Sequence, residues 1–144
     1  MKIKLSAWIG PVLAGFVALD LFYAVICFFF PQMWFGVFHG TAYSDPEGLL
    51  RRTGAIWATF SVLQLIALLK WRQKPYWIAI IAGVRLSEIF ADWTYLAFAQ
   101  NLTLFGRIAL FLASPSNMIV SWYFFKSYLE LAGPAATAEK TGGS

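Results

Sequence analysis

Arg85, Glu88 and Asp92 stand at i, i+3 and i+7 within an otherwise apolar stretch, so a helix there carries all three on one face. Asp20 stands alone in an earlier apolar stretch, and Arg107 and the run Ser114-Pro115-Ser116-Asn117 interrupt a later one. A charge at the centre of a bilayer costs about 3 kcal/mol or more unless it is paired or wet. Carboxylates and a guanidinium in such surroundings have two uses. Paired, they pin helices together; facing a pocket, they bind a polar group or relay a proton. Acids outnumber bases within the stretches, with Asp20, Glu88 and Asp92 against Arg85 and Arg107. Glu88 and Asp92 are like charges at i, i+4, which repel unless a base or cation stands between them.

The elements that must position these residues are read from composition. Of 144 residues, 60% are apolar, 19% aromatic and only 12% charged, against roughly 25% charged in a soluble domain. The expectation is an all-α integral membrane protein, a four-helix up-down bundle of transmembrane helices forming one domain over residues 1–132. The helices are expected at about 5–30, 48–69, 76–99 and 103–131. The first is too long for a signal-peptide core and reads as a retained helix. An aromatic segment with Trp34, Phe35, Phe38, His39 and Tyr43 lies between the first two helices and reads as interfacial. Asp45-Pro46-Glu47 reads as a helix start with Asp45 as N-cap. Residues 133–144 read as a disordered tail.

Lys2, Lys4, Lys70, Arg72, Lys74, Lys126 and Lys140 would share one membrane side and Arg51 and Arg52 the other, which places both termini in the cytoplasm, in a bacterial inner membrane. The bases mark span ends rather than a stripe among exposed aromatics, so nucleic acid is not an expected partner despite the formal charge of +4. A rise of about 1.5 Å per residue puts Asp20, Arg85 and Glu88 in one middle layer. The same arithmetic puts Asp92 level with Arg107, near Arg51 and Arg52, as an outer layer. Pro115 would free the carbonyl of Phe111, with Ser114, Ser116 and Asn117 at hand as partners or as cavity lining.

Small residues recur every fourth position at Gly83, Ser87 and Ala91, and again at Gly10, Ala14 and Ala18. Such rows let helices approach closely in lipid, which makes Gly83–Ser87–Ala91 a packing face for another membrane subunit. The one histidine, His39, lies in a connection, which excludes a bis-histidine haem in the bundle and leaves it as an interfacial ligand candidate. The single Cys27 permits no internal disulfide. No phosphate loop, nucleophile elbow or zinc motif occurs, so no catalytic residue, metal or cofactor is assigned. Its Trp residues fit an aromatic belt, and clusters such as Phe28-Phe29-Phe30 could contact lipid, quinone or pigment.

In outline, over about 125 residues, the chain resembles two groups of compact four-span proteins. These are the DoxX-like bacterial membrane proteins and the sterol-isomerase-like family that includes emopamil-binding proteins. The second resemblance implies a pocket for amphipathic molecules lined by intramembrane acids, to which Asp20, Glu88 and Asp92 are likened. From the residues, the first expectation is a small accessory subunit of a larger membrane complex, photosynthetic or respiratory. The alternatives are a bundle that binds or isomerises a lipophilic molecule beside Asp20, Glu88, Asp92 and Asn117, and a proton-coupled carrier.

Overall fold

A computed structural model describes residues 5–141, with side chains placed for residues 6–133. Lys2, Lys4 and the side chain of Lys140, together with the side chains of the expected tail beyond Gly133, lie outside the described residues. The described chain is helical. A 3-10 turn, Leu5–Trp8, leads into α1 (Ile9–Phe29), followed by α2 (Pro31–Phe38), α3 (Leu49–Lys70), α4 (Tyr76–Phe98) and α5 (Leu104–Thr141). The segment between the first two long helices is thus partly a helix itself. Pro31 sits at its first position, where a missing N–H costs nothing.

Three helical stretches, Ser6–Phe29, Leu49–Lys70 and Leu104–Gly133, are long and apolar enough to cross a membrane. α4 matches them in length with 23 residues but carries three charged residues, Arg85, Glu88 and Asp92. α1 packs along α3 and α4 along α5, so the fold is two helical hairpins laid face to face. Each helix buries one stripe. On α1 it is Ile9, Leu13, Asp20, Ala24 and Cys27; on α3 it is Leu50, Gly54, Ser61, Gln64 and Ala67. Spacings of three, four and seven keep such a stripe on one side of a helix.

One end of the bundle is closed by Ile9, Leu13, Ala67, Ile78, Ile81 and Phe124, each fully or almost fully buried. The other end is covered by α2, whose Trp34 joins Cys27 and Leu50 in a second cluster. Two close approaches fix this geometry. Gly54 lets α3 approach α1, since a Cβ there would lie 2.9 Å from Cys27 Cβ. Gly106 lets α5 meet α2, since a Cβ there would lie 2.8 Å from the Phe38 carbonyl oxygen. At that junction Thr103 donates its N–H to Phe38 O at 2.8 Å and its hydroxyl to Val37 O at 2.7 Å.

α3 starts later than expected. Asp45 is not the N-cap residue; Gly48 is, in a left-handed conformation at φ 69° that favours glycine. Asp45 still serves the helix from four residues back, accepting the N–H of Leu49 at 2.8 Å and of Leu50 at 2.9 Å. Two orphan donors are satisfied by one carboxylate. Asp45→Ala is therefore expected to lower stability by about 1–2 kcal/mol, and Asp45→Asn by less, as read from denaturant titration in detergent. α5 runs through Pro115 without a break, and the Ser116 hydroxyl donates to Leu112 O at 2.9 Å.

Candidate functional site

Asp20, on the buried stripe of α1, is 1% exposed, and Arg85 of α4 is 2% exposed. Their side chains form an ion pair through Arg85 Nη2 and Asp20 Oδ2. Gln64 of α3 donates its amide to the same Asp20 oxygen at 2.6 Å. Arg85 Nη1 donates to Glu88 Oε2 at 2.8 Å, and Asn117 of α5 donates to that oxygen at 3.2 Å. The Phe16 ring lies 4.2 Å from the guanidinium carbon. All four long helices thus contribute to one network. Only arginine has the reach and the forked donors to serve two carboxylates on different helices.

The network is not saturated. Among the described residues, Arg85 Nε, Glu88 Oε1 and Gln64 Oε1 are buried and have no hydrogen-bond partner. Each such atom costs about 1–3 kcal/mol if nothing solvates it. One donor and one acceptor belong to residues that line a cavity between the hairpins.

That cavity measures about 520 Å³, within the span of small-molecule sites. Asp20, Arg85, Glu88 and Asn117 form its polar floor, and Phe16, Tyr23, Trp34, Trp57 and Phe60 are among its walls. Asp92 also lines it, with no ion pair or hydrogen bond among the described residues. A second cavity of about 530 Å³ lies toward α2 and includes His39, Asp45, Glu47 and Tyr95. Trp34, Thr53, Trp57, Ala91, Asp92 and Leu110 line both. Trp34 stacks on Phe38 at 4.2 Å and meets Trp57 at 5.2 Å between ring centroids, so an aromatic cluster stands where the cavities meet.

The sequence residues fall into three groups. Asp20, Arg85, Glu88 and Asn117 are brought together, with Asp92 beside them on the cavity wall. Arg107 is not part of the network: it stands exposed and makes no ion pair with Asp92, and Arg51 and Arg52 are exposed and unpaired among the described residues. Depth arithmetic fixes height but not direction around a helix, and a long basic side chain near a helix end extends toward the interface. Gly83, Ser87 and Ala91 are exposed. Ser87 and Ala91 edge the inner cavity, while a Cβ at Gly83 would have nothing within 4 Å.

His39 is occupied on both ring nitrogens. Its Nδ1–H donates to Gln100 O at 3.1 Å, which leaves Nε2 as the acceptor of the Tyr95 hydroxyl. Neither nitrogen is free in this arrangement to ligate a metal or a tetrapyrrole. Gln64, not singled out from the sequence, binds Asp20, and Trp34 and Trp57, expected only as interfacial aromatics, shape both cavities. A lone amide in the middle of an apolar helix was the available signal for Gln64. No family model, curated protein or solved structure matches this chain.

Proposed function

We propose that this chain is a four-span inner-membrane protein that binds an amphipathic small molecule between its two hairpins. The apolar body would lie against the Phe16, Trp34, Trp57 and Phe60 walls, and a hydrogen-bond-donating head would meet Glu88 and Asp92. The observation that carries this reading is an aromatic-walled cavity whose lining includes Arg85 and Glu88, two residues that keep buried, unpartnered polar atoms. A purely structural pin would satisfy its own lone pairs and leave no such space.

α4 serves as the fourth span in this reading. Its charges face the interior, and Phe90 and Phe98, 70% and 81% exposed, are left for lipid. Lys70, Arg72 and Lys74 at one end of the bundle support cytoplasmic termini.

The test is native mass spectrometry of the protein extracted in mild detergent, with the small molecules it retains identified afterwards. Glu88→Gln keeps an oxygen for Arg85 and Asn117 but replaces the free acceptor with a donor. It is expected to leave the melting temperature within a few degrees and to reduce retained ligand at least about tenfold, the loss typical of one unmatched buried polar contact. A wild-type protein that carries no small molecule would end this reading.

A second reading is an accessory subunit of a larger membrane complex, such as a photosynthetic or respiratory one. The exposed Gly83–Ser87–Ala91 row favours it, with an open position for a partner's backbone beside Gly83. Gly83→Leu should then abolish stoichiometric co-purification of another chain while leaving ligand retention intact.

A further inference from the structure

We infer that the two cavities form one acid-lined path, which admits a cationic amphiphile from the α2 end of the bundle and stops at the Asp20–Arg85–Glu88 network. This deepens the binding reading above by naming the ligand's charge and its direction of entry.

Continuity comes from the six residues common to both linings, with Asp92 at the junction. Charge supplies the class of ligand. Of the six acidic residues with described side chains, Asp20, Asp45, Glu47, Glu88 and Asp92 line the path, and Arg85 is the one Lys or Arg among the described residues there. Five of six acids against one of eight bases with described side chains, in a chain of net charge +4, is a strong segregation. Arg85 is itself engaged by Asp20 and Glu88, so its charge is offset locally.

The free groups agree with this. Glu88 Oε1 and the Asp92 carboxylate accept hydrogen bonds and have none among the described residues. Arg85, 2% exposed, lines the inner cavity and keeps one donor, Nε, without a partner among the described residues. Trp34, Trp57 and Tyr23 line the route, and aromatic rings attract ammonium groups. Carboxylates on low-dielectric walls focus the field and concentrate cations. Beyond the network the bundle is shut by Ile9, Leu13, Ile78, Ile81 and Phe124, each 0% exposed. The path therefore has one aqueous end.

Cysteine accessibility tests this without knowing the ligand. In a Cys27→Ala background, Ala113→Cys marks the inner cavity, Ala99→Cys the outer one and Arg72→Cys the opposite face of the bundle. Two membrane-impermeant thiol reagents of similar size are compared in vesicles of known orientation, a trimethylammonium-ethyl and a sulfonatoethyl methanethiosulfonate, each rate normalised to a free thiol. The expected result is labelling of Ala113→Cys from the α2 side alone. The cationic reagent should be favoured about tenfold or more, and Asp45→Asn with Glu47→Gln should bring that ratio toward unity. Labelling from the Arg72→Cys side, equal rates for the two reagents, or no labelling from either side while Ala99→Cys reacts would overturn the inference. A cation-selective path in a protein that retains no small molecule would uphold the path and sink the binding reading, so the two fail separately.

Discussion

Arg85→Leu is expected to remove about 3–5 kcal/mol of stability, enough to abolish recovery of folded protein from the membrane. The substitution leaves Asp20, 1% exposed, with only the Gln64 amide, and returns Glu88 to a single weak partner in Asn117. The cost lies in the stranded carboxylate more than in the lost pair. Asp20→Asn combined with Arg85→Leu should therefore recover a large part of the loss, because the stranded charge is gone. Unfolding by denaturing detergent, followed by circular dichroism on the four members of the cycle, measures this coupling. Additive losses would mean that the two residues act independently, and the network would lose its standing as the centre of the fold.

Gly106→Val should come next in severity, at about 2–3 kcal/mol. The added Cβ would fall 2.8 Å from the Phe38 carbonyl oxygen and 3.3 Å from its Cα, and backbone atoms cannot swing aside as a side chain can. α2 must then withdraw from α5, breaking the two hydrogen bonds from Thr103 to Phe38 and Val37. Trp34 and Phe38 would move with it and the outer cavity would lose its cover. Gly36→Ala provides the internal control, since a Cβ there meets nothing within 4 Å. It should be neutral or slightly stabilising in the same titration, as expected for alanine over glycine in a helix.

The fold was largely legible because lipid imposes a simple code: long apolar runs, interrupted by proline and bounded by charge. α3, α4 and the start of α5 lie within one residue of the expected places. By contrast, α1 begins at Ile9 after a 3-10 turn rather than near residue 5, and α5 runs on past residue 131. α2 was less legible, because aromatic interface segments carry no periodicity that separates a short helix from a loop. At the site, Asp20, Arg85 and Glu88 announced themselves by charge and common height. Arg107 misled because height says nothing about direction, and Gln64 was silent because an uncharged amide barely disturbs an apolar run. The contribution of Trp34 could not be read at all, since it depends on α2 folding back over the bundle.

Cys27 has a use that follows from its position against Gly54. Its sulfur is fully enclosed where α1 and α3 touch, and it is the one thiol in the chain. Alkylation of the native protein can proceed only when those two helices separate, so the modification half-life is a clock for opening of the first hairpin. A bound guest that bridges the hairpins would slow that clock, which makes the unmodified protein its own reporter for ligand screening.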